Sequence, residues 1–196
     1  PLFAEQGWGA PQRADALERA YVLAHRLNAT TRQFSILRAL ADVHTAQAKH
    51  HQSLVYAEQL SALSQQVHNP RYEILSHRMR GISHLFLGHY QEARGHFEEG
   101  IRCLHTLKES TSDPAVLPAS EETAFLWGWL PIVLFVLGYP EQAIRCSRVA
   151  LARIQDEEHV HVQAKMLTVA GLVFYATLNR PILVRRYADQ LETLAM

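Results

Sequence analysis

Histidine is the residue type in this chain with the widest choice of chemistry, because imidazole binds metal ions and exchanges protons near neutral pH. The 196 residues include 12 histidines. His50 and His51 are adjacent, so on a helix their side chains point about 100° apart and cannot share one ion. His159 and His161 point to opposite sides of a helix and have no third ligand nearby in the sequence. These pairs predict no metal site, and His50 and His51 are expected at a solvated helix end.

A further histidine pair has a helical spacing. His77 and His84 are seven residues apart, with Gly81 between them, so one face of a helix carries both side chains. We expect them to be hydrogen-bonded packing residues. A pH-sensitive pair and a contact with a partner's carboxylate are the alternatives.

The remaining side chains give little basis for catalysis. Cys103 and Cys146 are the only cysteines, and each lies in a predicted amphipathic helix, which indicates buried thiols in a reducing cytoplasm and not a disulfide framework. The chain has no G-x-x-x-x-G-K-[ST] segment to bind phosphates, and no strand pattern to carry a metal-binding pair of aspartates. We therefore expect no catalytic residue, no cofactor and no enzymatic activity in this chain.

The overall composition also excludes several kinds of partner. Lys plus Arg equals Asp plus Glu at 19 each, so a formal net charge of zero gives no long-range attraction to nucleic acid or to an acidic membrane. A hydrophobic content of 48% is enough to fill a core. No run of about 18 apolar residues is present, so no membrane span is expected.

The elements that must position these side chains are clearest in residues 81–103, GISHLFLGHYQEARGHFEEGIRC. Apolar residues recur at three- and four-residue steps on both sides of Gly88, which predicts a helix, a left-handed turn and a second helix. Small residues at Gly81, Ala93 and Gly100 allow two helix backbones to approach closely. A helical hairpin with this pattern resembles a tetratricopeptide repeat.

The same pattern extends over the chain and predicts its organisation. We expect a single domain over residues 1–196, with a partial repeat at 1–29, hairpins at 30–69, 70–107, 120–158 and 159–196, and a proline-rich loop at 108–119. Equivalent positions at Ser53, Ala93, Ala143 and Val184 are separated by 40, 50 and 41 residues. The predicted fold is therefore all-α, a right-handed superhelical solenoid of antiparallel helical hairpins, with repeats of about 40 residues where standard repeats have 34.

Three segments carry a more specific resemblance. They are TRQFSILRALADVHTAQAKHHQSLVYAEQLSALSQQVHNP at residues 31–70, the hairpin at 81–103, and LGYPEQAIRCSRVALA at 137–152. Together they resemble the C-terminal helical repeats of large bacterial ATPase or class III nucleotide cyclase-type signalling regulators. The resemblance implies a fragment of a larger cytoplasmic protein, and a regulatory scaffold that binds protein or peptide partners, including other domains of the same parent chain.

The inner surface formed by the first helix of each hairpin is the predicted contact surface. The Lys and Asn pairs with which some repeat arrays grip a C-terminal carboxylate are replaced here by Arg38 with Asp42 and by Arg78 with Ile82. An amphipathic partner helix is one occupant of the apolar groove, simple packing between repeats is another, and direct binding of a small-molecule effector is the alternative function. The residues assigned to this surface are Arg38, Arg78, Ile82, Leu85, Phe86, Phe125, Ile132 and Phe135.

Overall fold

The computed structural model describes residues 11–110 and 120–195, and every regular element within them is helical. This confirms the predicted all-α class built from helical hairpins. The chain divides into two compact units, one ending at Ala93 and the other beginning at Arg94. The assignment of residues 1–196 to a single repeat domain stays a prediction.

The first unit contains four complete helices and the start of a fifth. They are α1 (Pro11–Arg26), α2 (Thr30–Ala46), α3 (His50–Val67), α4 (Pro70–Phe86) and α5 (Tyr90–Ser110), the last of which continues into the second unit. The predicted loop at 108–119 therefore begins later than expected, because α5 extends to Ser110. The rest of that loop lies outside the described residues.

The second unit contains the remainder of α5 and four further helices. These are α6 (Ser120–Val136), α7 (Pro140–Ala152), α8 and α9 (Pro181–Ala195), with a short 3-10 turn at Arg153–Asp156 after α7. Helix α8 comprises Val160–Met166 and Phe174–Thr177 in α geometry, joined by a π-helical stretch at Leu167–Val173. None of the helices in the described ranges combines the length and the apolar character needed to cross a membrane.

Left-handed residues separate the helices at regular intervals. Positive φ values occur at Asn28, Ala48, His68 and Gly88, which are 20 residues apart, and later at Gly138 and Asn179. Each is followed two residues later by the first residue of the next helix. The left-handed turn predicted at Gly88 is thus confirmed. Ala48 adopts φ 57° without the freedom that glycine has, so the fold tolerates a strained residue there.

The core of the first unit lies between α2, α3 and α4. Its buried side chains recur at three- and four-residue steps along each helix: Phe34, Leu37, Leu40, Ala41, Tyr56, Ala57, Leu60, Leu75 and Met79. Their burial on adjacent helices shows why these short helices are stable here, because isolated helices of this length are marginal in water.

A hydroxyl cluster surrounds Ser53, at the position equivalent to Ala93 and Ala143 in the later repeats. Ser53 on α3 is fully buried, and its Oγ lies 3.0 Å from the Ala41 carbonyl, 2.8 Å from Thr45 Oγ1 and 3.0 Å from Ser83 Oγ. These contacts join α2, α3 and α4. The equivalent Ala93 and Ala143 are also fully buried but carry no polar group.

Helix α8 packs against α9 in the second unit through a close approach at Gly171. A Cβ atom built on Gly171 would lie 2.9 Å from Cγ of Tyr187. The Tyr187 ring also stacks on Tyr175, with ring centroids 5.5 Å apart. Glycine is therefore required at position 171 because a larger side chain would collide with the Tyr187 ring, and not because of an unusual φ angle.

Candidate functional site

The structure places Arg78 in the protein interior. Its side chain is 1% exposed, and Nη2 donates to Asp42 Oδ1 at 3.3 Å. Asp42 also lies 3.6 Å from Nε of Arg38, which is 38% exposed. The predicted role of Arg78 as an exposed contact residue is corrected by this burial: the face of α4 that carries it packs toward α2. Arg38 remains accessible.

Two of the apolar residues assigned to the same surface are also buried. Ile82 is 6% exposed and Leu85 is 8% exposed, so both contribute to packing. Phe86, the last residue of α4, is 43% exposed. Its ring stacks on the His50 imidazole, with centroids 4.8 Å apart and an interplanar angle of 12°. Of the aromatic and aliphatic residues predicted in this unit, Phe86 is the one available at the surface.

A cleft of about 540 Å³ lies beside this stacked pair, at the end of the α2–α3 hairpin where the chain turns. It is lined mainly by polar side chains: Glu18, His44, Ala48, Lys49, His50, His51 and Gln52. His51 is exposed as predicted, whereas His50 is partly buried because it packs against Phe86. The predicted solvated helix end therefore holds for His51 alone.

His44 forms the buried wall of this cleft. It is 6% exposed and stacks on Tyr56, whose hydroxyl donates to Glu18 Oε1 at 3.0 Å. Neither ring nitrogen of His44 has a hydrogen-bond partner within the described part of the chain. Burial and the nearby Lys49 lower the pKa of His44, and Glu18 opposes them. The ring is therefore favoured in its neutral form.

A histidine pair that the sequence did not predict lies across the α4–α5 turn. His84 Nδ1 is 3.3 Å from His89 Nδ1, with ring centroids 5.5 Å apart. We expected His84 to share a helical face with His77, but the turn at Gly88 brings His89 to it instead. Burial, then His89, then Arg80 lower the pKa of His84, while Glu92 and Glu58 raise it. Helical periodicity cannot identify this pair, because His84 lies on α4 whereas His89 lies in the turn that precedes α5.

The predicted residues of the second unit occupy a different environment. Phe125, Ile132 and Phe135 on α6 are all partly buried. Nζ of Lys165 lies 5.2 Å from the centroid of the Phe125 ring, which is within cation–π range. Both residues line a groove of about 240 Å³ between α6 and α8. A cation from α8 thus lies over the Phe125 ring, whose side chain is partly buried.

A second groove of this unit was missed at the sequence level. It has a volume of about 510 Å³ and lies between α7, α8 and α9, with apolar side chains on its floor and two arginines, Arg148 and Arg186, at its edges. The apolar stripe of α9 is the sequence signal that could have identified this groove. None of the residues of α9 is fully buried, so the stripe remains available to line a groove.

The one strongly perturbed thiol is not suited to nucleophilic catalysis. Burial, with a smaller contribution from Glu98, raises the pKa of Cys146 to about 12. A thiol with this pKa stays protonated at neutral pH, and the thiolate is the reactive form.

The described helix hairpins, with their regular left-handed turns, have the arrangement of a helical repeat. Residues 32–104 match the tetratricopeptide repeat family model. The matched segment covers nearly all of α2, then α3 and α4, and most of α5, so it includes Phe86 and the histidine pair at the α4–α5 turn. Such repeats generally mediate protein–protein interaction. No curated protein matches the chain.

Proposed function

We propose that this chain is a non-catalytic protein-interaction module that regulates a cytoplasmic ATPase or nucleotide cyclase-type signalling protein. The observation that carries the proposal is the tetratricopeptide-repeat match over residues 32–104, because repeats of this family generally bind protein or peptide partners. The parent context rests on the resemblance of residues 31–70, 81–103 and 137–152 to bacterial regulators of this type. Other domains of the same parent are the partners we favour.

The proposed contact surface is centred on the Phe86 and His50 pair. A half-exposed aromatic ring, already ordered by stacking on a second ring, loses little freedom when a partner covers it. Aromatic residues of this kind are enriched among the side chains that dominate interface energies. Arg38, which is 38% exposed, is the accessible charged residue that we assign to contact in the same unit. On this proposal Phe125, Ile132 and Phe135 form a second contact surface in the other unit.

The test compares two exposed apolar residues of the first unit. Phe86→Ala is expected to weaken binding of the parent's ATPase module at least about tenfold, whereas Val55→Ala, at 48% exposure, is the matched control that should leave it unchanged. Binding is measured by calorimetry, and circular dichroism checks that both variants keep their helix content. Equal binding by both variants would contradict the proposed surface.

A second candidate function is supported by the polar cleft beside His44. The cleft is large enough for a small metabolite, and it combines a buried imidazole with the cationic Lys49 and the anionic Glu18. It lies at the turns of the hairpins, not on the apolar inner surface where we expected an effector. Succinate and inorganic phosphate are suitable anionic probes: a raised melting temperature that is lost in Lys49→Ala would support effector binding. A melting temperature that neither probe changes would argue against it.

A further inference from the structure

The repeat brings the backbones of residues i and i+5 next to one another at turns between consecutive helices. At five of the described turns, the backbone N–H of residue i+5 donates to the carbonyl of residue i at 2.9 or 3.0 Å. The five pairs are Ala24 and Ala29, His44 and Lys49, His84 and His89, Leu134 and Tyr139, and Tyr175 and Arg180. Among these five turns, the α4–α5 turn alone has a metal-binding residue type at both positions.

We propose that His84 and His89 form a transition-metal site with two imidazole nitrogens as ligands. A hydrogen bond of 2.9 Å from the His89 N–H to the His84 carbonyl fixes the backbone of the two histidines relative to each other. The chain between them turns through Gly88 at φ 80°. Nδ1 of His84, near the end of α4, therefore faces Nδ1 of His89, in the turn just before α5. Such preorganisation is what separates a metal site from two neighbouring histidines.

The distance between the two nitrogens agrees with shared coordination. Nitrogen ligands of tetrahedral zinc lie 2.0 to 2.1 Å from the metal, so two of them are about 3.3 to 3.4 Å apart. The observed Nδ1 to Nδ1 distance is 3.3 Å. The same geometry puts the imidazole centroids about 5.2 Å apart, and the observed separation is 5.5 Å. A direct hydrogen bond between the rings is the competing explanation, and at 3.3 Å it would be a long one.

The chemistry of the pair indicates which ions it would bind. Imidazole suits zinc, copper and nickel, and copper(II) binds most tightly of these by the general order of affinities. Two protein ligands leave the remaining positions for water or for a ligand from another molecule. His89 is exposed and His84 is partly buried, so an ion can reach the pair from solvent. This site is independent of the partner surface proposed above, because its binding of an ion requires no protein partner.

The test uses the full chain carrying Cys103→Ser. This substitution removes a partly buried thiol that could bind metal independently of the histidine pair. Zinc is titrated calorimetrically, and electron paramagnetic resonance with copper(II) reports how many nitrogens are bound. We expect the chain to bind one zinc ion and His89→Ala to weaken that binding at least about tenfold. The copper(II) spectrum should show two nitrogen ligands. His51→Ala, which replaces an exposed histidine outside the pair, is the matched control and should retain the site.

A second variant separates metal binding from hydrogen bonding. His89→Asn retains a side chain that can donate and accept hydrogen bonds but has no imidazole. Metal binding predicts that this variant loses the zinc-dependent rise in melting temperature while keeping the wild-type melting temperature in EDTA. The proposal is overturned if zinc raises the melting temperature of both His89 variants as much as that of the parent chain, or if it does not raise that of the parent chain at all.

Discussion

Arg78 and Asp42 link α4 to α2 through an ion pair in which one partner is almost completely buried and the other is not. The Arg78 side chain is 1% exposed, the Asp42 side chain is 28% exposed, and Nη2 and Oδ1 are 3.3 Å apart. Asp42 is accessible to solvent and also lies beside Arg38, whereas the guanidinium is enclosed by protein. The pair is therefore asymmetric, and its two members should respond differently to replacement.

Asp42→Ala is expected to lower the free energy of unfolding by about 1 to 3 kcal/mol, because it removes a charged partner from a buried cation. Arg78→Met replaces that cation with an apolar side chain of similar length and should have a smaller effect, since buried ion pairs are often replaceable by apolar groups. Urea denaturation of both variants measures the difference. If Arg78→Met lowers the free energy of unfolding more than Asp42→Ala does, the guanidinium contributes more to stability than its burial beside Asp42 implies.

The buried His44 should make stability depend on pH. Its pKa in the folded chain is lowered by burial and Lys49, so the unfolded chain takes up the proton first as the pH falls. Stability should be fully present above about pH 6.5, the ordinary histidine value, and should decrease as the pH falls toward the folded pKa. The melting temperature between pH 7.5 and 5.5 should therefore fall less in His44→Phe than in the wild type.

Some of that pH dependence will remain in His44→Phe, because burial also lowers the pKa of His50 and of His84. His51→Gln, at an exposed position of the same helix end, is the control and should follow the wild type. If the melting temperatures of His44→Phe and the wild type change with pH in parallel, His44 does not contribute to the pH dependence of stability.

Two glycines in the second unit should respond to alanine in opposite directions. The new methyl group of Gly171→Ala would lie 2.9 Å from the Tyr187 ring, so we expect a loss of about 1 to 2 kcal/mol from overpacking. Gly95→Ala in α5 meets no atom within 4 Å and should stabilise the helix by about 0.5 to 1 kcal/mol. Thermal denaturation of the pair tests this, and a destabilised Gly95→Ala variant would be inconsistent with an open position.

The two cysteines should react with alkylating reagents at very different rates. Burial raises the pKa of Cys146 to about 12, so iodoacetamide at pH 7.5 should modify the partly exposed Cys103 and leave Cys146 unmodified. Cys146 should react once the chain is unfolded in urea. Peptide mass spectrometry identifies the modified residue, and early alkylation of Cys146 in the native chain would indicate that α7 opens locally.

The helices and turns were predictable because their signals are local. Apolar residues at three- and four-residue steps define the buried faces of α2 and α7, and Gly88, Gly138 and Asn179 are residue types that favour left-handed turns. Ala48 adopts the same conformation without such a residue type. Its place in the 20-residue series of left-handed positions is the signal that identifies it.

The contact surface was harder to predict because it depends on nonlocal contacts. An arginine in an amphipathic pattern indicates solvent, yet Arg78 is buried by a pairing with Asp42, 36 residues earlier. His84 and His89 meet only because a turn reverses the chain between two helices. Pairings of this kind depend on how helices pack, which periodicity within one helix does not report.

The π-helical stretch in α8 accounts for an irregularity in the length of the repeat. Helices α2, α4 and α6 each contain 17 residues, whereas α8 spans residues 160–177 and therefore has one more. The left-handed positions show the same difference, because Ala48 and Gly88 are 40 residues apart and Gly138 and Asn179 are 41 apart. A π turn accommodates a single additional residue within a helix. The last repeat has thus absorbed a one-residue insertion inside its first helix, and the phase of the following turn and of α9 is preserved.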